Sequence, residues 1–366
     1  MIVLSPRPKP SLARIGGPMA PIPQLRQPGV FRLCSNESPL GVSPAAVEAA
    51  GEALLRGHEY PENEGGDLVD AIGAHFGVAP SHIRLGPGSD TLVMQAVLAF
   101  AGPGDEVVFS ARGYARYARN ALIAGATPVA AQDRDFRAEP QSLLDAMTSR
   151  TRLVMLANPD NPSGAMLPTD EVLALHACLP GNVVLLLDCA YAEYVRDAGY
   201  GDGGLALAQS ADNVLVSRTF SKLYGLAGMR LGWLAGHPDM LDAVGKVGAT
   251  FPVSLPALAA GRAALADTAH QAAARAHNDE WLGWLCTALP ANRVRVLPSQ
   301  ANFVLLDLPS PAVARGIVAH LADKGILVRG FGPGAHAAQV RISIGAAEAL
   351  RRAVAGIEEY LDMEGH

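Results

Sequence analysis

Amines that could act as nucleophiles are scarce in this chain. Of the 29 lysine and arginine residues, only four are lysines: Lys9, Lys222, Lys246 and Lys324. A lysine that can lose its proton is both a nucleophile and a proton carrier, so chemistry of this kind has few candidates. Lys222 follows the apolar run VLVS (214–217), and Arg230 comes eight residues after it.

Polar side chains also follow the other apolar runs that predict strands. Asn161 lies in the turn NPDNPSG, directly after LVMLA, and Asp188 ends the run VVLLLD with Tyr191 three residues further on. Ser89 and Asp90 follow IRLGPG and open an apolar helical stretch. Ligands of open parallel sheets bind beyond the carboxyl ends of the strands. We therefore expect these groups to converge with the lysine and the arginine at one edge of a sheet.

Each of these features alone has a plainer structural explanation. GPGSDT is a good turn and helix cap, Asp188 could cap a helix, and Tyr191 could be a core tyrosine. NPDNPSG could be a proline-stiffened turn, and the segment before Lys222 could be a solvated loop. Their joint occurrence, in this order along one fold, is what indicates a functional site.

Several common functional motifs are absent from the sequence. Gly86 and Gly88 begin a G-x-G-x-x-G pattern, but Thr91 replaces the third glycine that a dinucleotide-binding loop needs. No Gly-Lys-Ser/Thr forms a P-loop, the histidines show no metal-binding spacing, and no G-x-S-x-G elbow indicates a serine hydrolase. We expect no bound metal.

The elements that must position these residues are read from the hydrophobic pattern. The runs VVFS, TPVAA, LVMLA, VVLLLD and VLVS are almost continuously apolar, which is typical of strands buried on both faces. Their alternation with helical stretches predicts a doubly wound α/β fold with a mainly parallel sheet. After residue 250, one long Ala-rich helical stretch (257–289) and fewer strands predict a smaller α+β domain.

The sequence predicts three segments. Residues 1–35 would form an N-terminal arm, in which residues 1 to about 30, rich in proline and glycine, are expected to be extended and unpacked. Residues 36–255 would form the large α/β domain, and residues 256–366 the small α+β domain.

Composition narrows the class of protein and its location. The 366 residues are 49% hydrophobic and 17% charged, with a net charge of −6, which is globular and argues against a nucleic-acid partner. No apolar run is long enough for a signal peptide or a membrane span. Four widely spaced cysteines suggest no disulfide framework. We expect a cytoplasmic protein without a membrane partner.

In combination, the motifs resemble those of the fold-type-I aminotransferases that depend on pyridoxal phosphate, most closely the histidinol-phosphate aminotransferase branch. They are YPENEGGDL, GPGSD, NPDNPSG, DCAY, SRTFSKLYGLAGMRLGW and VRISIG. The resemblance extends from SNESPL (35–40) to the end of the chain. It implies the fold of that family, pyridoxal 5′-phosphate as cofactor and a role in amino-acid biosynthesis.

The resemblance implies a role for each residue around the cofactor ring. Lys222 matches the lysine that forms a Schiff base with the cofactor and carries the proton between Cα and C4′. Asp188 matches the partner of the pyridine nitrogen, and Tyr191 and Asn161 match donors to the phenolic oxygen. Tyr114 matches the residue that stacks on the ring face.

The resemblance also implies a phosphate site that two subunits share. The residues implied to bind the cofactor phosphate within one chain are Ser89, Asp90, Thr219, Ser221 and Arg230. Tyr60, in YPENEGG, matches a residue that reaches the phosphate of the neighbouring subunit. A homodimer with shared active sites is therefore expected.

The substrate residues implied by the resemblance are Arg341, Arg329 and Asn36. Arg341, in VRISIG, matches the arginine that grips the carboxylate of amino-acid substrates, and Arg329 matches one that the branch uses on the substrate phosphate. Two arginines facing one small pocket suit an anionic substrate. The sequence departs from the family at Cys189, where an acid is usual, and in the glycine-rich segment 330–340.

The predicted activity is transfer of an amino group, in a ping-pong cycle, from a donor to a 2-oxo acid such as 2-oxoglutarate. The best single donor is L-histidinol phosphate, and aromatic or other amino acids of a specialised pathway are the alternative. A decarboxylase resembling threonine-phosphate decarboxylase shares most of the motifs. A regulator that only senses the cofactor would need a DNA-binding domain, for which the chain has no room.

Overall fold

The computed structural model describes residues 9–16, 29–62 and 65–363. Most of the predicted arm, and Asn63 and Glu64 of the YPENEGGDL motif, lie outside the described residues. Twelve strands and twelve α-helices are present in the part of the chain that is described.

The strands form one sheet of seven and one of five. They are β1 (Phe31–Leu33), β2 (Ile83–Gly86), β3 (Glu106–Ser110), β4 (Thr127–Ala131), β5 (Thr151–Ala157), β6 (Val184–Asp188), β7 (Val214–Thr219), β8 (Gly232–Gly236), β9 (Arg295–Val296), β10 (Phe303–Asp307), β11 (Ile326–Gly330) and β12 (Gln339–Ser343).

The α-helices cover both sheets. They are α1 (Pro44–Leu54), α2 (Gly66–Phe76), α3 (Ser89–Phe100), α4 (Arg116–Ala124), α5 (Pro140–Asp145), α6 (Thr169–Ala177), α7 (Leu205–Ser210), α8 (Pro238–Lys246), α9 (Leu255–Ala266), α10 (Thr268–Ala288), α11 (Pro311–Asp323) and α12 (Ala347–Met363).

The seven-stranded sheet has the order β2-β8-β7-β6-β5-β3-β4 and is mainly parallel. Only β8 runs antiparallel to its neighbours, β2 and β7. Along β6, Leu185 and Leu187 pack into the core on one face, while Leu186 packs into the core on the other. The continuous apolar runs therefore arise because both faces of the strands are buried, and the predicted fold class is confirmed.

The five-stranded sheet has the order β1-β11-β12-β10-β9 and forms a separate core with α10, α11 and α12. Its first strand corrects a prediction, because Phe31–Leu33 lies within the predicted arm but pairs in parallel with β11. Pro10–Arg14, also within that arm, forms a short 3-10 helix.

The predicted Ala-rich helix is in fact two helices, separated at Asp267. The Asp267 side chain accepts a hydrogen bond from the His270 backbone N–H and so caps the start of α10. The helix before it, α9, packs against α1 and contributes Ala257 and Ala260 to the core of the large sheet. The packing thus differs from the predicted division at residue 255, since α9 belongs with the first core.

Four neighbouring parallel strands, β3, β5, β6 and β7, end at one edge of the large sheet. In the register, Asp188 lies opposite Ala157 on one side and Ser217 on the other. The segments that leave these strands carry four of the residues singled out from the sequence: Tyr114, Asn161, Tyr191 and Lys222.

Candidate active site

Asp188, the last residue of β6, is a buried carboxylate held by two neutral donors. Ser217 Oγ donates to its Oδ1 at 2.7 Å, and the Tyr117 hydroxyl donates to its Oδ2 at 3.1 Å. Burial raises the pKa of Asp188, while these hydrogen bonds and the charge of Lys222 lower it in part. A carboxylate that is buried away from water in this way can form an ion pair with a positively charged nitrogen of a ligand.

The Tyr191 hydroxyl is the centre of a second hydrogen-bond network. It accepts from Asn36 Nδ2 at 2.9 Å and from Asn161 Nδ2 at 3.2 Å. Further hydrogen bonds fix the orientation of both side-chain amides. Ser343 Oγ donates to Asn36 Oδ1, and Arg341 Nη1 donates to Asn161 Oδ1. With both acceptor positions of the hydroxyl used, its own proton is left to donate elsewhere.

Asn36 was predicted to bind substrate, and the structure places its side chain in the interior. It is 1% exposed, and both its amide oxygen and its amide nitrogen are engaged by Ser343 and Tyr191. Its observed contacts therefore support Tyr191. Direct contact with a substrate stays a prediction.

Arg341 and Arg329 lie on neighbouring strands of the small sheet. They face each other across the antiparallel register of β12 and β11. Arg341 is buried and also donates to the Cys34 carbonyl oxygen at 2.8 Å. Burial lowers the pKa of Arg341, and the positive charge of Arg329 contributes to that lowering. A second positive charge near Arg341 is compatible with an anionic ligand at this place.

The start of α3 forms a cradle with glycine at its base. Gly88 precedes the helix with φ of +87°, and a Cβ there would lie 2.5 Å from Arg230 Nη2. A Cβ on Gly232 would lie 2.5 Å from the Ser89 backbone nitrogen. Only glycine allows this close approach, which brings a guanidinium to a helix N-terminus, an arrangement that suits a phosphate.

Two hydroxyl groups and a strained arginine belong to the same segment. Thr219 Oγ1 accepts from the Ser221 backbone N–H at 3.1 Å and contacts Ser221 Oγ at 3.0 Å. Arg230 adopts a left-handed conformation with φ of +53°, a strain that costs about 1–2 kcal/mol in a non-glycine residue. Its Nη1 donates to the Ala227 carbonyl oxygen. Such strain is found where function fixes a side chain.

Lys222 lies in the segment after β7, between the Tyr191 hydrogen-bond network and the cradle at the start of α3. Its side chain is half-buried. Its Nζ donates to the Ser35 carbonyl oxygen at 3.3 Å and lies 5.7 Å from the centre of the Tyr191 ring. The amine is thus close to Tyr191, and its positive charge lowers the pKa of Asp188. Lys246 pairs with Asp242 and Lys324 pairs with Glu359.

Tyr114 lies on the segment after β3 and is half-buried. Its hydroxyl donates to Asp90 Oδ1 at 3.5 Å, and its ring meets the Tyr117 ring edge-on, with centroids 5.6 Å apart. Burial raises the pKa of Tyr114, and the charge of Asp90 raises it further. The phenol is therefore neutral, which suits an aromatic contact.

Three predicted features lie outside this cluster. Tyr60 is 82% exposed, and its ring stacks on that of Phe251. Cys189 points into the core away from Asp188, where its Sγ donates to the Gly203 carbonyl oxygen, and burial raises the pKa of the thiol to about 11. In the glycine-rich segment, His336 Nε2 donates to the Arg112 carbonyl oxygen at 2.7 Å, two residues before Tyr114.

The donor set fits pyridoxal phosphate. One amine, one buried carboxylate, one phenol with a proton to give and one glycine-lined phosphate cradle meet at the sheet edge. Among residues 9–16, 29–62 and 65–363, no cluster of His, Cys, Asp and Glu could hold a metal ion, and no helix combines the length and apolarity that crossing a membrane demands.

The family profile of the aminotransferases of class I and II matches residues 28–357. This chain belongs to that family. A histidinol-phosphate aminotransferase of Paramagnetospirillum magneticum is 43% identical over 91% of this chain and 92% of the relative. Another, from Dinoroseobacter shibae, is 40% identical over 90% of this chain and 91% of the relative.

Solved structures agree with this membership. The crystal structure of histidinol-phosphate aminotransferase from Sinorhizobium meliloti in complex with pyridoxal-5′-phosphate superimposes with a TM-score of 0.90, at 30% identity, and covers 100% of both chains. The predicted family, fold class, enzyme class and cofactor are confirmed: the aminotransferase is a fold-type-I enzyme that uses pyridoxal phosphate.

Two contacts of this aminotransferase were missed from the sequence. Ser217 and Tyr117 both reach Asp188, yet neither was singled out. Ser217 could have been found, because it lies one strand over at the same level in a parallel sheet. Tyr117 lies 71 residues before Asp188, and no local pattern links the two.

Proposed function

We propose that this aminotransferase transfers the amino group of L-histidinol phosphate to a 2-oxo acid such as 2-oxoglutarate in a ping-pong cycle. The observation that carries the donor is the pairing of Arg329 with Arg341 across β11 and β12. A second support for this donor is the 43% identity, over most of the chain, with a protein that is named for this activity. An anionic donor could form charge-assisted hydrogen bonds with arginines at these two positions.

Pyridoxal phosphate, when bound, supplies an aldehyde that captures amines and a ring that accepts the electron pair of a deprotonated Cα. Lys222 Nζ would hold the cofactor and, once the donor amine has replaced it, take the proton from the donor Cα. Its position supports this role, since the amine is half-buried and lies 5.7 Å from the centre of the Tyr191 ring.

The remaining residues would orient the cofactor. Asp188 would accept the pyridine N–H, and the Tyr191 hydroxyl would donate its free proton to the phenolic oxygen, with Asn161 as a second donor. Tyr114 would cover one face of the ring and exclude water from it. Its neutral phenol and partial burial support that contact.

The phosphate would lie at the N-terminus of α3. There the backbone N–H groups of Ser89 and Asp90, the hydroxyls of Thr219 and Ser221, and Arg230 would donate to its oxygens. The support for this is the glycine cradle, where a Cβ on Gly88 would meet the guanidinium. Arg230 is kept in a strained conformation that this purpose explains.

We also propose a homodimer in which Tyr60 completes the partner's phosphate site. Tyr60 and Phe251 stack on each other while 82% and 42% exposed, and Leu55 of the segment after α1 is 82% exposed. Exposed apolar groups of this kind mark a surface that a partner covers. The cytoplasmic location stays a prediction.

The dimer is tested by mixing two inactive variants, Tyr60→Ala and Lys222→Ala. A mixed dimer has one site with both defects and one intact site, so random reassociation should return about a quarter of the wild-type sites. Absence of any recovery, with mixed dimers verified by mass spectrometry, would contradict the shared site.

The substrate proposal is tested with a panel of amino donors scored by kcat/KM. L-histidinol phosphate should exceed L-histidinol, phenylalanine and aspartate by about 100-fold, since a charge-assisted contact to phosphate contributes about 1.5–3 kcal/mol. An aromatic amino acid as the best donor would overturn the substrate but leave the reaction. Release of carbon dioxide without need of a 2-oxo acid would overturn the reaction itself.

A further inference from the structure

Tyr117 is a buried tyrosine that touches two residues of the proposed cofactor site at once. It lies in α4 and is 1% exposed. Its hydroxyl donates to Asp188 Oδ2 at 3.1 Å, and its ring meets the Tyr114 ring edge-on at 5.6 Å. Behind it, the ring packs against Phe109, with centroids 6.3 Å apart.

We propose that Tyr117 is a positioning residue that orients the Asp188 carboxylate, keeps it charged and fixes the ring of Tyr114. The inference rests on the proposed role of Asp188 and deepens it. One side chain would then set both the group at the pyridine nitrogen and the group on the ring face.

The physical reason lies in the two oxygens of Asp188. Each accepts one hydrogen bond, Oδ1 from Ser217 Oγ and Oδ2 from the Tyr117 hydroxyl. These bonds fix the plane of the carboxylate. Burial and the charge of Asp90 raise the pKa of Asp188, whereas these two hydrogen bonds and the charge of Lys222 lower it. Without the tyrosine hydroxyl, the buried carboxyl would be protonated more easily, and a neutral carboxyl attracts a pyridinium nitrogen less.

The edge-on contact with Tyr114 is independent of the hydroxyl. Edge-to-face aromatic pairs gain from ring geometry alone. Tyr117→Phe therefore removes the hydrogen bond to Asp188 while it keeps the packing against Tyr114 and Phe109. The substitution separates the effect on the carboxylate from the effect on the fold.

Tyr200→Phe is a matched control. Tyr200 is 4% exposed, and its hydroxyl donates to the Asn158 carbonyl oxygen at 2.7 Å. Both substitutions thus delete one buried hydroxyl. Only the Tyr117 hydroxyl donates to the carboxylate of Asp188.

The measurement is the affinity of the apoenzyme for pyridoxal phosphate between pH 5.5 and 8.5. We expect Tyr117→Phe to bind roughly tenfold more weakly than wild type at pH 6, with the difference shrinking toward pH 8.5. The visible absorbance of the bound cofactor should change its pH dependence in the same variant. Tyr200→Phe should show neither effect.

Wild-type affinity of Tyr117→Phe across the whole range would overturn the inference. So would a weakening that is the same at every pH and equal to that of Tyr200→Phe, because that would be a loss of structure alone. If the wild-type apoenzyme bound no pyridoxal phosphate, the proposed function itself would fail.

Discussion

Arg329 and Arg341 lie directly opposite each other on adjacent antiparallel strands of the small sheet. Like charges in this register destabilise a sheet unless something compensates them. Arg341 is secured by Asn161 and the Cys34 carbonyl, and the charge of Arg329 lowers its pKa. We propose that this pair binds the anionic groups of the substrates, and the first prediction tests that role.

The first prediction concerns Arg329→Gln. Loss of its charge should lower kcat/KM for L-histidinol phosphate by roughly 10- to 100-fold, the usual effect of one charged hydrogen bond. The value for unphosphorylated L-histidinol should change little. Arg352→Gln, an exposed arginine of α12 paired with Glu348, is the control and should leave both values unchanged. Equal losses for both donors would argue against a phosphate contact.

A second prediction concerns Asp160, the buried acid of the NPDNPSG turn. Burial raises its pKa to about 7, although Ser163 Oγ donates to it at 2.7 Å. The folded protein then keeps a proton that the unfolded chain has lost above about pH 4. Its contribution to stability is therefore present at acid pH and is lost as the pH rises toward 7.

Asp160→Asn should remove this pH dependence. Relative to wild type, the variant should gain about 2.7 kcal/mol in free energy of unfolding between pH 5 and pH 8. Urea denaturation at both values measures the gain. Asp212→Asn, with a side chain 93% exposed, is the control. A constant difference between variant and wild type at all pH values would contradict the raised pKa.

The third prediction concerns the buried ion pair of Arg218 and Glu193. Arg218 Nη1 lies 3.3 Å from Glu193 Oε1, and both side chains are almost wholly buried. Arg218→Met leaves the carboxylate without its partner and should lower the free energy of unfolding by about 3–5 kcal/mol. The double variant Arg218→Met with Glu193→Leu should recover most of the loss. A double variant less stable than the single one would show that the pair is not coupled in this way.

The sheet was predictable from the sequence because its central strands are buried on both faces. Leu185, Leu186 and Leu187 are consecutive apolar residues, and such a continuous run predicts a strand that is buried on both faces. Phe31–Leu33 was missed because a strand of three residues is too short to show the alternation of apolar and polar residues that predicts a strand. The break at Asp267 was hidden within an Ala-rich stretch, although an aspartate before Thr268 is a capping signal.

The site residues that lie in sequence motifs at the ends of strands were predictable from the sequence. The contacts between residues far apart in the chain were not. Lys222, Asp188 and Tyr191 stand out through motifs along the chain. The support of Tyr191 by Asn36, 155 residues earlier, depends on tertiary packing alone. Residue types suggest a task, but hydrogen-bond partners distant in sequence decide how each group performs it.

Lys222 is the amine proposed to hold the cofactor. The most direct measurement is reduction of the wild-type protein with borohydride, followed by digestion and mass mapping of the pyridoxyl label. We expect one labelled peptide, containing Lys222, and no label at that peptide in Lys222→Ala, which should also lose the visible absorbance and nearly all turnover. A label at Lys9, Lys246 or Lys324, or none at all, would contradict it.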